Sequence, residues 1–275
     1  MISVHPPISG IVRKGKTSRR NIPTVSLLRD KLPSLVSEEL IRDYETSPDR
    51  TPHHAIQGTL RLTIARTDWT TPAANIVGIK QGSGDKLIVI GAHYDHLGSD
   101  AQKGVFFPGA NDNASGVSML CALSEYFKDV ATNCGIVFAA FGREEGGREG
   151  SQYFVDNLPD KGDVKAMINL DMIGRLDDNN TLFYENTGME LPRIECSSPD
   201  RGDCLNLRLL IGGRSDHEPF VGASIPALYL PTGTDEGYIH TVRDTAGRIN
   251  YDGLNRIYTY LKQLILQLDK NTESR

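Results

Sequence analysis

The chain is expected to fold as an α/β domain with a mixed, mostly parallel central sheet and helices on both faces. Three observations carry that expectation. Short apolar runs at Leu87–Ile90, Gly135–Phe141, Val164–Leu170 and Ile225–Leu230 have the character of strands buried on both sides. Stretches with helical spacing fall between and after them, and such alternation covers a sheet on two faces. At 275 residues the chain suffices for one large domain, or a domain with a smaller appendage.

Residues 1–58 read as a separate N-terminal segment with little chemistry. Arg13, Lys14, Lys16, Arg19 and Arg20 form a basic cluster typical of a solvated stretch. Asn21–Leu27 predicts a short strand and Pro33–Tyr44 a short helix. The main domain is expected over 59–275. Leu60, Leu62 and Ile64 alternate with polar residues, as in a half-buried strand. Asn75–Ile79 is a second strand, Gly82-Ser83-Gly84-Asp85 a turn, and Lys86–Gly91 the central strand. Val117, Met119, Leu120, Leu123, Tyr126 and Phe127 share one helical face. After the strand at 135–141, a charged loop leads into a helix through Tyr153 and Phe154. The strand at 164–170 ends in Asp171. Leu205–Ile211 predicts a further strand, Ser215–Phe220 a capped short helix, and 225–230 another strand. A final helix starts at Tyr251, with Leu254, Ile257, Leu261, Leu264, Ile265 and Leu268 toward the core.

A net charge of −5 gives no electrostatic case for nucleic acid or an anionic membrane. No apolar run approaches the roughly 20 residues that cross a bilayer. Cys196 and Cys204 flank a polar, turn-forming loop that could close into a disulfide, while Cys121 and Cys134 read as buried free thiols. No Cys-x-x-Cys pair exists, which argues against thiolate zinc sites. Met1–Pro7 lacks the apolar core of a signal peptide.

Chemistry concentrates where strands end, the place where open α/β sheets gather ligands. His93 and Asp95 follow the central strand. Asp112 opens a helical run, Glu144-Glu145 follow the strand at 135–141, Asp171 ends the next, and His240 follows the last. Each has an ordinary reading as a cap or salt bridge, and Asp112 or Ser115 could simply cap a helix. Acidic residues directly after buried strands are nevertheless costly unless paired or metal-bound. Imidazoles beside carboxylates suit a divalent cation.

Six segments, in order over residues 75–250, resemble the co-catalytic zinc aminopeptidases of the M28 peptidase family. They are Gly91-Ala92-His93-Tyr94-Asp95-His96-Leu97-Gly98, Gly109–Gly116, Glu144-Glu145-x-Gly147-x-x-Gly150-Ser151, Asn169–Gly174, Ser215-Asp216-His217-x-Pro219-Phe220 and His240-Thr241-x-x-Asp244-Thr245. The resemblance implies a zinc exopeptidase-like fold. It implies a metal-dependent exopeptidase that removes N-terminal amino acids from peptides through a two-zinc-activated water. By the same resemblance His93, Asp112 and Asp171 bind one Zn2+, and Asp112, Glu145 and His240 the other, with Asp112 bridging. Glu144 is then the general base, and Asp95 orients His93 by accepting its other N–H. Glutaminyl cyclase and carboxypeptidase relatives stay open, as does an inactive binding ectodomain, which would have lost ligands. Arg143 stands where the family commonly has a small or uncharged residue, and bears on the pocket's charge. Residues 1–58 resemble only the end of a reduced or trimmed protease-associated insert. Exported relatives and the Cys196–Cys204 loop imply an extracytoplasmic protein whose signal is absent from this chain.

Overall fold

The computed structural model describes residues 2–5 and 25–28 by their backbone, and 73–100, 104–194, 204–233, 235 and 237–270 in full. The chain divides into two compact units, Met1–Asp68 and Trp69–Arg275. In the first unit β1 (Ile2–His5) pairs in parallel with β2 (Val25–Leu28), which overlaps the strand expected at 21–27. The helix expected at 33–44, the strand at 59–64 and Cys196, hence its bridge to Cys204, lie outside the described residues.

The second unit runs β3 (Ile76–Lys80), β4 (Leu87–His93), a small ribbon of β5 (Ser99–Asp100) and β6 (Val105–Phe106), α1 (Ser115–Phe127), β7 (Gly135–Phe141) and α2 (Glu149–Asp156). It continues with β8 (Val164–Leu170), β9 (Thr181–Thr187), β10 (Asn206–Leu209), α3 (His217–Gly222), β11 (Ala227–Leu230) and α4 (Tyr251–Lys270). Seven strands form one sheet in the order β10-β9-β11-β8-β4-β7-β3. β4 lies parallel to both β7 and β8, β11 parallel to β8 and β10 parallel to β9; β3 and β9 run antiparallel to β7 and β11. The sheet is therefore mixed and mostly parallel.

The apolar runs supply two cores because successive side chains of a strand point to opposite faces. Ile88 and Ile90 face one side with Leu123 and Phe127 of α1 and Leu261, Leu264 and Ile265 of α4. Val89 and Met167 face the other with Val155 of α2 and Phe220 of α3. Helices thus cover both faces. Burying a side chain of this size stabilises by roughly 1.5–3 kcal/mol. β9 is a strand that the sequence reading passes over. Its side chains are mostly half-buried, so neither a continuous apolar run nor a clean alternation marks it. Cys134 is buried as expected, but Cys121 is exposed, on the solvent side of α1.

The parallel arrangement brings the carboxyl ends of β4, β7, β8 and β11 to one edge. His93 pairs in register with Phe141, and Tyr94 donates its amide to the Phe141 carbonyl at 2.9 Å. His93, the last residue of β4, and the loops that follow those ends supply the site.

Candidate metal centre

His93 is the last residue of β4 and only 1% of its side chain is exposed. Its Nδ1 lies 3.0 Å from the main-chain carbonyl of Asp95. A carbonyl can only accept, so Nδ1 carries the proton and Nε2 is left with a lone pair. Nε2 faces Asp112 Oδ1 at 3.2 Å and Asp171 Oδ1 at 3.4 Å. Three buried acceptors converge with no donor between them, and His93 Nε2 and Asp171 Oδ1 have no hydrogen-bond partner. Either a proton or a cation must sit among them. With a proton there, burial pulls the His93 pKa down, but Asp112 and Asp171 hold it well above the ordinary value.

The Asp95 side chain has a different partner from the one expected. Its carboxylate stands 3.8 Å from His93 Nδ1, and its oxygens accept the backbone amides of Glu144 at 3.0 Å and Glu145 at 3.3 Å. The carbonyl orients His93; the carboxylate fixes the glutamate turn. Spacing alone cannot separate those roles, because both groups belong to one residue.

Asp112 sits in an irregular turn, Ala110–Ala114, whose Asp112–Asn113 peptide is cis. Its flanking asparagines tie it down. Asn111 Oδ1 accepts from Gly174 N at 2.8 Å, and Asn113 Oδ1 accepts from Met172 N at 3.2 Å. Asn113 Nδ2 donates to the Leu170 carbonyl at 2.9 Å. Asp244, fully buried, accepts the amides of Asn111 and Asp112, both within 3.0 Å. Gly116 lets the turn approach β8, since a Cβ there would lie 2.3 Å from the Leu170 carbonyl oxygen. Ser115 does not cap α1; its hydroxyl donates to the Asn111 carbonyl and accepts from Ile173 N.

The second Asp112 oxygen faces another group. His240 Nε2 lies 3.1 Å from Asp112 Oδ2 and 3.0 Å from Glu145 Oε2. Hydrogen bonds to Asp112 and Glu145 raise the His240 pKa to about 10. Burial works against ionisation of Asp112, yet His240 and His93 hold its carboxyl well below the usual range. Glu145 is likewise lowered: burial pushes it up, and His240 and His96 outweigh that. Glu144 differs from its neighbour. Burial, reinforced by Asp171, Asp216 and Glu145 and opposed by His93, pushes its carboxyl up to about 8.

All seven residues singled out from the sequence (His93, Asp95, Asp112, Glu144, Glu145, Asp171 and His240) thus meet at one edge of the sheet. Sequence reasoning gave no role to Asn111, Asn113, Asp244 or Ser215. Ser215 donates to Asp171 Oδ2 at 2.6 Å and accepts from Asn169 Nδ2 at 2.7 Å. The signal lay in the motifs themselves, where an amide flanks Asp112 on each side and an aspartate follows His240 by four residues. Arg143, the unusual residue, directs its charge away, donating to Glu149 Oε2 at 2.5 Å.

The model of peptidase family M28 matches residues 75–265, the stretch that builds this site. The chain belongs to peptidase family M28. Aminopeptidase YwaD of Bacillus subtilis is 33% identical over 196 residues, covering 66% of this chain and 42% of that protein. Leucine aminopeptidase 2 of Trichophyton equinum is 26% identical over 236 residues, covering 80% and 43%. Among solved structures, the zinc aminopeptidase BSAP from Bacillus subtilis superposes with a TM-score of 0.59 at 28% identity, over 73% of this chain and 51% of that one. A Bacteroides thetaiotaomicron glutaminyl cyclase shares the fold at 22% identity, with a TM-score of 0.55 over 72% and 77% of the two chains. This M28 chain spans about half the length, or less, of these aminopeptidases.

Proposed function

We propose that this M28 chain is a metal-dependent aminopeptidase, removing N-terminal residues from peptides with two zinc ions. One observation carries the reading. The buried Asp112 carboxylate offers Oδ1 to the His93–Asp171 group and Oδ2 to the His240–Glu145 group. A single carboxylate shared in this way suits two neighbouring cations, about 3.5–4 Å apart in two-metal hydrolases. Charge supports it: the carboxylates of Asp112, Glu145 and Asp171 gather at one place, where dications would offset them. The donors are imidazole and carboxylate without thiolate, which suits zinc in a site that keeps open positions.

When bound, the ions would polarise the scissile carbonyl and bring the pKa of a water near neutrality. The remaining steps fall to the chain. Glu144 takes the proton of the attacking water and returns it to the leaving amine. Its raised pKa suits a group that must both accept and release a proton, and the positive charge of neighbouring ions opposes that rise. Asp95 serves both functions of the loop, since its carbonyl turns His93 Nε2 inward and its carboxylate holds Glu144 and Glu145 by their amides.

Metal analysis of the purified protein, beside hydrolysis of a panel of aminoacyl anilides, tests the reading. Two ions per chain are expected, with activity lost on chelation and restored by zinc. Peptides beginning with glutamine should be shortened rather than cyclised. Full turnover by the metal-stripped protein would sink the proposal.

A further inference from the structure

One imidazole at this centre has no role in the scheme above. His96 follows β4 by three residues, and its side chain is only 10% exposed. Its Nδ1 lies 3.0 Å from Glu145 Oε1 and 3.7 Å from Asp112 Oδ2. Its ring centroid is 5.7 Å from that of His240, tilted by 58°. His96, Asp112 and Glu145 can bring one ligand atom each within 4.8 Å of one another, a convergence that stands without His240.

We infer that His96 is a further protein ligand of the second metal, joining Asp112, Glu145 and His240. This rests on the two-metal reading. Donors around a tetrahedral zinc at about 2.0–2.1 Å lie roughly 3.3 Å apart. The two Nδ1 distances straddle that value, so Nδ1, hydrogen-bonded to Glu145 in the absence of an ion, also faces a point shared with Asp112. The remaining nitrogen, Nε2, is buried with no partner, so only the carboxylates account for a polar ring here. The turn before Asp112 also makes room for the ring. Gly109 has φ +62°, and a Cβ on it would stand 2.7 Å from His96 Cγ.

The consequence is an unequal pair. The first ion has one imidazole and two carboxylates. The second has two imidazoles and two carboxylates, the richer set, and takes a water only by expanding to five-coordinate. Nitrogen-rich donors favour zinc, cobalt, nickel or copper over manganese and magnesium, so the second site fills first and holds its ion more tightly.

Metal-stripped full chain titrated with Zn2+ tests this, with X-ray absorption at the zinc edge counting imidazoles. The wild type should bind two ions with three imidazoles per pair, from His93, His96 and His240. His96→Ala should raise the dissociation constant of the tighter site by on the order of 10²-fold and remove one imidazole, leaving the looser site unchanged. The wild-type count decides the matter even if the variant folds poorly. Two imidazoles per pair in the wild type overturns the assignment. So does weaker binding by the variant with an unaltered count, which would make His96 a hydrogen-bond partner of Glu145. A wild type that binds only one ion instead removes the two-metal reading itself, and this inference with it.

Discussion

The two groups of candidate metal donors share Asp112 but are held in opposite ways. His93 and Asp171 stand at the ends of adjacent parallel strands, and their side chains are 1% and 8% exposed. The register of β4 on β8 places them. Glu145 and His240 sit on loops, and the His240 side chain is 46% exposed. Nothing in the sheet fixes these two, so hydrogen bonds and ion pairs within the loops must. Asp95 holds the glutamate turn. The Asp235 carbonyl accepts the amides of Tyr238 and Ile239, while its carboxylate pairs with Arg175 at 3.0 Å. Below Tyr238 the Arg248 guanidinium lies 3.3 Å from the ring centroid. One half of the centre is built by the fold, the other by polar tethers.

The largest effect should come from breaking what both halves share. Asp112→Ala removes a donor from each group, and two-metal charge stabilisation amounts to several kcal/mol. Turnover should fall by about 10⁴-fold or more at roughly 1.4 kcal/mol per decade, with both ions weakened. Metal content and turnover measured together check it; an unaltered pair of ions would contradict the bridging role.

In the proposed mechanism the adjacent glutamates divide base from ligand. Glu144→Gln should keep both metals and lose about 10²–10⁴-fold in turnover, the scale of general-base removal. Glu145→Gln should lose its second ion and regain part of its activity at high zinc. A zinc titration of both variants decides, and rescue of the first rather than the second would reverse the assignment.

Smaller effects separate the halves. Asp244→Asn alters the acceptor of two amides in the Asp112 turn, so both groups should loosen, with metal affinity falling about 10–100-fold. Arg175→Met cuts the Asp235 tether together with the guanidinium's bond to the Arg248 carbonyl and its contact with the Tyr238 ring, all on the His240 side. It should weaken the His240 site alone, by roughly tenfold, and calorimetric titration would resolve the two sites. Equal weakening of both sites in Arg175→Met would erase the distinction.

The mildest effect is on the stability of the metal-free protein. His240 is raised from 6.5 to about 10, Glu144 from 4.5 to about 8, and Asp216, by burial, from 3.8 to about 7. In each case the folded state binds the proton more tightly than the unfolded state does. These contributions are therefore present at low pH and lost as pH rises through each folded pKa. Unfolding midpoints of the stripped chain should fall between about pH 5 and pH 10, and saturating zinc should flatten the slope. Zinc uptake near neutral pH should also release protons, because ligands must shed them to bind. Stability that climbs across this window would contradict the assignment.

The strand-built half of the centre was the more legible in the sequence. Buried runs ending in His93 and Asp171 announce strands, and a strand end fixes where its last side chain lies. The resemblance to M28 peptidases supplied the loop residues, whose convergence no local pattern reveals. The finer division was not legible. Asp95 meets His93 through its carbonyl and the glutamate turn through its carboxylate, a division no residue pattern encodes, and the ring of His96 is placed by its contacts with residues 109 and 145. β9 escaped for a different reason: its seven residues lie at the half-covered side of the sheet, where burial imposes no clear period.

A single carboxylate touching both halves has a thermodynamic corollary. If two ions bind as proposed, each would draw electron density from Asp112 and fix its rotamer, so filling one site would alter the binding constant of the other, equally in both directions. The two occupancies are then one coupled equilibrium. A chain loaded with two different metals need not average the properties of its two homometallic forms, and the order in which ions are supplied would change the rate of loading but not its end point.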